Sequence, residues 1–381
     1  MDFDFTDEQR LLDESVRRLV KDEYTQEKRK ARMALPDGFD RGLWARYAEL
    51  RLLGLPFAEE HGGFGGSAVE TMIVMESFGR GLVLEPYLAT VILGGGLVSL
   101  AGTAQQKKWV LPKVAEGKLM LAFGHGERQS RYNLADVETR ATRDGSRYVL
   151  NGAKGVVLHG ESADTLIVSA RTGGGTREAK GITLFFVNAK EKGVSVRGYP
   201  TVDGLRAAEI TFDNVTVGAE SVLGTPDDAF PVIEHAVDRA IAALSAEAVG
   251  IMETLNAVTL DYLKTRKQFG VPIGSFQALQ HRMVEMVVEH EQSKSMAILA
   301  ALSADSAGRA ERRRAVSAAK IQIGKSGRFV GQQAIQLHGG IGMTDEYIAG
   351  HYFKRLTMID QTFGDHDYHL DRFAEVALGR G

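Results

Sequence analysis

The sequence lacks cysteine altogether, in a chain of 381 residues. This absence excludes disulfide bonds, thiolate metal sites and a cysteine nucleophile. An excess of either charge is also missing, because 46 lysines and arginines stand against 49 aspartates and glutamates, for a net charge of -3. A phosphate backbone or an anionic lipid surface would require a basic face. We therefore expect neither a nucleic acid nor a membrane as a partner, and the basic run Arg312 to Arg314 predicts only a solvated helix face.

Long apolar runs are also missing from the sequence. The stretch from Val91 to Ala101 is apolar, but it is short for a membrane span and rich in glycine. The N-terminus, Met1 to Phe5, turns acidic at once and lacks the basic start and apolar core of a secretory signal. Both observations make the cytoplasm the expected location.

Apolar residues make up 44% of the chain and charged residues 25%, which is typical of a globular protein with several domains at this length. The first third has helical spacing. Thr6 and Gln9 predict a capping box at its start. Further helices are expected over three segments, with glycine-rich breaks at residues 62–66 and 94–96. These segments are Gly42 to Leu53, Ala68 to Gly81 and Ala104 to Glu116.

From about residue 120, short runs rich in valine, isoleucine, threonine and phenylalanine replace the helical pattern. Such runs predict strands. They are Tyr148 to Leu150, Thr165 to Val168, Ile182 to Val187, Val194 to Val196 and Glu209 to Phe212. Turn residues are expected to separate them at Asn151-Gly152, Thr172 to Thr176 and Asp213-Asn214. A compact, barrel-like β-domain is therefore predicted in the middle of the chain.

Helical patterns return after Gly224 and are unusually long. They run from Asp228 to Thr265, Ser275 to Ser303, Ala310 to Leu337 and Tyr347 to Ile359. Helices of this length predict a four-helix bundle with room for partner chains. The predicted fold is therefore mainly α with a central β-domain (α+β): an N-terminal helical domain over 1–118, a middle β-domain over 119–224 and a C-terminal helical bundle over 225–381.

Two motifs lie in the C-terminal part. The segment Arg266-Lys267-Gln268-Phe269-Gly270, followed by Ile273 and Phe276-Gln277, resembles the R-x-Q-F-G…F-Q signature of the acyl-CoA dehydrogenases, and Gln336 to Gly342 resembles their glycine motif. An arginine offers a planar fork of donors to a pyrophosphate, and paired glycines let backbone amides approach a dinucleotide. The resemblance in motif order and segment layout covers essentially the whole chain.

This resemblance implies an FAD-dependent oxidoreductase that converts an acyl-CoA thioester to its trans-2-enoyl form, in fatty acid or dicarboxylic acid degradation. It also implies a tetramer and an electron-transfer flavoprotein as electron acceptor. By the same resemblance, the adenosine and pyrophosphate half of an FAD bound mainly by the neighbouring subunit is contacted by Arg266, Phe269, Gln336, Gly339 and Gly340. The alternative for the two glycines is a helix-to-helix turn that needs glycine anyway.

The middle segment departs from the family. Where family members carry the T-E-P-x-A-G-S-D stretch that holds the flavin, residues 126–133 keep only Glu127. In the K-x-W-I-T-N-G stretch, Val156 replaces the tryptophan that stacks on the flavin ring, and Leu158 replaces the threonine that hydrogen-bonds it. Each loss should cost about 1 kcal/mol or more. We therefore expect the chain to work beside a related subunit, as the small subunits of the two-component pimeloyl-CoA dehydrogenases do. The alternative is a divergent homotetramer that binds the flavin through backbone groups.

Desaturation needs a carboxylate base for the Cα proton. The family places its glutamate either in a Y-E-G-T motif, where Gly364 or Asp365 stands here depending on the alignment, or at the position of Ala240, which cannot take a proton. Glu247 lies two helical turns beyond Ala240 on nearly the same face, among small apolar residues. Glu247 is therefore the first candidate for the base and Asp365 the second. The alternative for Glu247 is an ion pair with an arginine.

Three functional hypotheses follow. The leading one is a catalytic subunit, the second is a non-catalytic partner that completes a neighbour's FAD site, and the third is a flavin oxidase or hydroxylase on the same fold. A metal enzyme is not expected. The closely spaced His366 and His369, with Asp365 and Asp367, are the kind of group that more often is solvated or caps a helix.

Overall fold

The computed structural model describes residues 5–379. Contacts group the chain into two compact units, one built from segments 1–31, 67–83 and 241–381, as far as these are described, and the other from 32–66 and 84–240. Along the chain the order is helices, then a sheet, then helices, which confirms the predicted fold class.

The N-terminal third is helical, as predicted. Its α-helices are α1 (Asp7–Glu23), α2 (Gln26–Met33), α3 (Arg41–Glu49), α4 (Ala68–Gly81), α5 (Gly96–Ala101) and α6 (Ala104–Ala115). The capping box at Thr6 and Gln9 is present, because each side chain accepts a hydrogen bond from the backbone N–H of the other residue. α4 has the predicted bounds.

The glycines at 94–96 do not break a helix, so that prediction was wrong. A π-helix over Leu88–Gly95 continues directly into α5. A Cβ at Gly94 would lie 2.5 Å from the Leu121 Cβ, and a Cβ at Gly95 would overlap the Phe57 ring. Close packing therefore requires these glycines, and the helix tolerates them because its neighbours hold it in place.

The middle of the chain forms one mixed sheet. Its strands are β1 (Leu121–Gly124), β2 (Arg140–Asp144), β3 (Arg147–Leu158), β4 (Thr165–Arg171), β5 (Ile182–Asn188), β6 (Val194–Pro200), β7 (Arg206–Gly218) and β8 (Val222–Leu223). The order is β6-β7-β3-β2-β4-β5-β8, with β1 pairing parallel to β4. One face buries a continuous apolar cluster that includes Leu150, Phe185 and Ile210. The five predicted strand segments all lie within these strands.

Two of the expected turns are absent as turns, and their residues instead form one irregularity in the pairing of β3 with β7. Asn151-Gly152 lies inside β3 and Asp213-Asn214 inside β7, where the register shifts between Leu150 and Gly152. The Asn151 side chain accepts from the Asn214 N–H at 2.8 Å, and Asn214 has φ 52°. Residues that favour turns in sequence here supply the positive φ and side-chain bonds of a β-bulge.

The last part contains the long helices that the sequence predicted. They are α7 (Phe230–Thr265), α8 (Gln277–Ala304), α9 (Arg309–His338), α10 (Ile348–Gln361) and α11 (His366–Ala377), with a small hairpin of β9 (Lys267–Gln268) and β10 (Val271–Pro272) after α7. α8, α10 and α11 all pack on α9. Contrary to expectation, α7 is long and apolar enough to span a membrane, but its most apolar window is 78% buried, as in a core helix.

The basic run at the start of α9 is not the solvated face that was predicted. Arg312 and Arg313 are buried, and they reach the Ser306 carbonyl at 2.8 Å and the Glu375 carboxylate at 3.3 Å. Arg314 lies 5.9 Å from the Phe373 ring centre. The three arginines therefore contribute to packing and to fixing the start of α9.

Candidate functional site

The first predicted cofactor residues lie just after the end of α7. The Arg266 N–H donates to the Tyr262 carbonyl, and the Arg266 carbonyl accepts from Ile273, both at 2.8 Å. The β9–β10 hairpin then places Phe269 at its tip with φ 56° and 91% of its surface exposed. Its ring meets Phe276 edge-on at 6.2 Å. An exposed arginine and an exposed aromatic ring therefore lie three residues apart on one projecting hairpin.

The other predicted cofactor residues lie at the end of α9. Gln336 is exposed on the last turn of the helix, and Gly339 leaves the helix with φ 61°. A Cβ at Gly339 or Gly340 would meet no atom within 4 Å. The backbone conformation explains glycine at 339, but nothing in the described chain requires glycine at 340. An exposed position that lacks a side chain, with no neighbour that requires this, fits close approach by a ligand.

An aromatic cluster joins these two helix ends. The Tyr262 ring lies 4.6 Å from the His338 ring, and the His338 Nε2 lies 3.1 Å from the Tyr347 hydroxyl. Arg266 follows Tyr262 by one helical turn, and Gly339 follows His338 directly. The structure therefore brings together the segments that carry all five predicted cofactor residues, at one exposed end of the first unit.

Glu247, the first candidate for the base, is buried on α7 and paired with an arginine of α10. The Arg355 Nε donates to Oε1 at 2.5 Å and its Nη2 donates to Oε2 at 2.7 Å. Both side chains are less than one tenth exposed. This is a bidentate, charge-assisted pair, which is the ion-pair alternative considered for Glu247. To act as a base, the carboxylate would first have to give up one of these bonds.

The surroundings of Glu247 are closely packed. A Cβ at Gly79 of α4 would overlap the Glu247 carbonyl, and a Cβ at Gly250 of α7 would overlap the Glu76 carbonyl. The Tyr352 hydroxyl of α10 donates to the Arg80 carbonyl at 2.6 Å. Glu247 therefore lies where α4, α7 and α10 meet, with the backbones of α4 and α7 in direct contact.

Asp365, the second candidate, caps a helix. Its side chain accepts from the Tyr368 N–H at 2.9 Å at the start of α11. The neighbouring Gly364 is buried with φ 111°. A Cβ there would overlap the Tyr368 ring and lie 2.9 Å from the His369 Nε2. A carboxylate side chain has no room at 364, and the one at 365 is used to hold the helix N-terminus.

Two buried titratable groups fix this turn. The Lys320 ammonium donates to the carbonyls of Asp360 and Thr362 at 3.1 and 2.8 Å, and also to that of Ile359. Burial lowers the pKa of Lys320 to about 7. His369 has its Nδ1 3.2 Å from the Ser317 hydroxyl, and burial lowers its pKa to about 3, so the ring is neutral. Within residues 5–379 no group of three or more side chains is arranged to hold a metal ion.

In the middle segment, Glu127 serves as an internal anchor. Its Oε1 accepts from the Lys154 ammonium at 2.6 Å, and the carboxylate also accepts from the N–H groups of Glu138 and Thr139 at 2.8 and 3.0 Å. Burial alone would raise the pKa of Glu127, but the Lys154 ammonium and these hydrogen bonds bring it down to about 2. The residue retained from the flavin-holding stretch therefore holds its own loop in place.

The sequence did not identify the partners of this anchor. The buried Lys154 ammonium also lies 3.1 Å from the Ser169 hydroxyl, which in turn lies 2.9 Å from the His125 Nδ1. Burial lowers the pKa of Lys154 to about 8 and that of His125 to about 3. These groups lie on separate strands and loops, so only the fold reveals that they meet. The one local signal of this cluster in the sequence is His125, which lies two residues before Glu127.

The positions that contact the flavin ring in the resemblance are altered in structure as well as in sequence. Val156 has φ 52° and is 58% exposed, at a register shift between Lys154 and Val157. Positive φ is strained for a β-branched residue. Leu158 is half-buried and has no hydroxyl. The exposed group around Arg266 and Gly340 therefore offers donors and an apolar ring suited to adenosine and pyrophosphate, whereas Val156 and Leu158 offer the flavin ring neither an aromatic face nor a hydroxyl.

Three family models match consecutive parts of the chain: Acyl-CoA dehydrogenase, N-terminal domain, over residues 6–118, middle domain over 122–215, and C-terminal domain over 228–378. A probable acyl-CoA dehydrogenase, YngJ of Bacillus subtilis, is 31% identical over 91% of this chain and 92% of its own length. The Tcur3481-Tcur3483 steroid ACAD variant is 28% identical with a TM-score of 0.87, covering 98% of both chains. The ChsE4-ChsE5 complex of Mycobacterium tuberculosis is 25% identical with a TM-score of 0.87, covering 99% of both chains.

Proposed function

This chain belongs to the acyl-CoA dehydrogenase family, and we propose that it is one subunit of a two-component enzyme that oxidises an acyl-CoA thioester to the trans-2-enoyl form. Enzymes of the family are FAD-dependent oxidoreductases. The part of this chain is to hold the adenosine and pyrophosphate half of an FAD whose ring is held by a related subunit. The bound FAD supplies the acceptor for the hydride that leaves the substrate Cβ.

One contrast carries the proposal. The residues suited to the adenosine and pyrophosphate are exposed and lie at one end of the first unit. A Cβ at Gly340 would meet no atom within 4 Å there. The positions suited to the ring carry Val156 and Leu158, which offer neither an aromatic face nor a hydroxyl. A homotetramer with one FAD per copy would need both groups of residues in this chain.

Each residue of the exposed group contributes a definite interaction. The Arg266 guanidinium is a planar fork of donors that can bind two phosphate oxygens at once. The Gly340 amide is accessible without a side chain in front of it, whereas the Gly339 N–H already donates to the Ile335 and Gln336 carbonyls at the end of α9. Phe269 offers an apolar ring to a base, and Gln336 offers an amide that both donates and accepts.

We further propose that the carboxylate base belongs to the related subunit. Gly364 and Asp365 are the two residues that align with the family's C-terminal base, and at Gly364 the Tyr368 and His369 rings leave no room for a side chain. Both Glu247 oxygens are bound by Arg355, and Asp365 caps α11.

The two similar structures named above support a two-component assembly, because their names join two proteins, Tcur3481 with Tcur3483 and ChsE4 with ChsE5. We extend that arrangement to this chain as part of the proposal. We also propose that the enzyme passes its electrons to an electron-transfer flavoprotein and that it acts in the cytoplasm.

The test compares this chain purified alone with the chain co-expressed with a related acyl-CoA dehydrogenase subunit from the same genome. We expect colourless protein in the first case and bound, reducible flavin in the second. Arg266→Ala should lower the FAD content of the co-purified complex. Arg282→Ala is the matched control, because Arg282 is also exposed but binds Gln333 at 2.7 Å. If the chain alone forms a tetramer with one reducible flavin per copy, the proposal is wrong.

A further inference from the structure

The turn that carries Gly339 and Gly340 is closed by a hydrogen bond between residues outside the predicted cofactor group. His338 ends α9 and is 2% exposed, and Tyr347 is the residue before α10. Between them, residues 339–343 form a short 3-10 helix. The His338 Nε2 lies 3.1 Å from the Tyr347 hydroxyl, so the bond joins the two ends of the turn.

The direction of this bond follows from the other side of the imidazole. The His338 Nδ1 lies 2.7 Å from the Ala334 carbonyl, which can only accept, so Nδ1 carries the proton. Burial lowers the pKa of His338 and favours the neutral ring. The Nε2 of a neutral ring protonated at Nδ1 is an acceptor, and therefore the Tyr347 hydroxyl donates to it.

Packing fixes the same arrangement. The Tyr262 ring of α7 lies 4.6 Å from the His338 ring and 6.2 Å from the Tyr347 ring. Gly342 is buried, and a Cβ there would lie 3.0 Å from the His338 Cβ, so the turn folds back onto the histidine. The turn's own glycines at 339 and 340 contribute no such contact. His338 and Tyr347 therefore tie the turn that carries the exposed amides to the end of α9, in addition to the bonds from the Thr344 N–H and hydroxyl to the Ile341 carbonyl.

We infer that Tyr347, acting through His338, is a positioning residue that orders the Gly339–Met343 turn for the pyrophosphate of a dinucleotide. The inference rests on the proposed function for the identity of the ligand, but the ordering of the turn is a property of this chain alone. An ordered turn presents its amides without the entropy cost of arranging them on binding, so loss of the bond should weaken binding.

The test uses the full-length chain, with ADP as a probe that carries adenosine and a pyrophosphate. Tyr347→Phe removes the hydroxyl and keeps the ring. Tyr352→Phe is the matched control, because Tyr352 lies on α10, five residues after Tyr347, and its hydroxyl donates to the Arg80 carbonyl, away from the turn. Hydrogen exchange of the amides of residues 339–344 reports the order of the turn, and calorimetry reports ADP affinity.

We expect faster exchange in the turn and roughly three- to tenfold weaker ADP binding in Tyr347→Phe, with neither change in Tyr352→Phe. Unchanged exchange in Tyr347→Phe, unchanged affinity, or the same two changes in both variants overturns the inference. The variant Arg266→Ala distinguishes a failure of the proposed cofactor site from a failure of the inference about Tyr347. If ADP binding does not depend on Arg266, the proposed site fails, while the exchange data still decide whether Tyr347 orders the turn.

Discussion

Replacing Glu247 by glutamine distinguishes a buried ion pair from a catalytic base. Both Glu247 oxygens accept from the Arg355 guanidinium, at 2.5 and 2.7 Å, and the two side chains are 7% and 9% exposed. Glutamine removes the negative charge and turns an NH₂ group toward one of the arginine donors. Breaking a buried pair from one side costs about 3–5 kcal/mol. We expect Glu247→Gln to lower the free energy of unfolding by this amount in urea titrations at pH 7.

Two further measurements make this result specific. Replacing both partners with apolar residues, Glu247→Leu together with Arg355→Met, should recover most of the loss, because no charge is left buried. Asp13→Asn is the matched control in the same unit, since Asp13 pairs with Arg17 at 2.8 Å with the arginine 44% exposed, and exposed pairs contribute about 1 kcal/mol or less. If Glu247→Gln is as stable as the wild type and only turnover of the assembled enzyme is lost, Glu247 is the base and the argument from the ion pair is wrong.

Three other predictions concern pH and glycines. Burial lowers the pKa of His125 and His369 to about 3, below the usual value near 6.5, so each contributes stability above pH 6.5 that is lost as the pH falls toward 3. The free energy of unfolding should be lower at pH 5 than at pH 6.5 by about 2 kcal/mol for each histidine. A free energy of unfolding that does not change between these pH values contradicts the assignment of two buried neutral histidines. Gly364→Glu should destabilise the chain by about 1–3 kcal/mol and restore no activity, because φ is 111° and the side chain overlaps Tyr368; a stable, active variant would show that a base fits there. Gly250→Ala should lower the thermal midpoint, since its Cβ overlaps the Glu76 carbonyl, whereas Gly340→Ala should leave the midpoint unchanged and reduce FAD content; equal midpoints for the two variants would refute this.

The helices were the most predictable part of the fold. α4 and the long helices from α7 to α10 lie within a few residues of their predicted bounds, because apolar spacing and caps are local signals. The wrong predictions concern segments whose conformation is determined by tertiary packing and not by the local sequence. Gly94 and Gly95 lie inside a helix because Leu121 and Phe57 leave no room for a Cβ there, and Asn151-Gly152 pairs with Asp213-Asn214 across two strands. Neither partner is visible in a local window of sequence.

The candidate site was predictable only in part. The motifs around Arg266 and Gln336 marked segments that do lie together, since a family signature preserves the spacing of a site. The environment of Glu247 was not predictable, because Arg355 lies 108 positions away and nothing local marks it as the partner. The role of Asp365 as a helix cap required knowing that α11 begins at the next residue.

The direct backbone contact between α4 and α7 has a mechanical consequence. Most helix pairs are separated by side chains, and those side chains can exchange rotamers and let the helices slide. At Gly79 and Gly250 there is no side chain to rearrange, and the surfaces in contact are main-chain carbonyls with fixed hydrogen bonds. A displacement of either helix at this point therefore acts directly on the main chain of the other, with no side chain between them to absorb it.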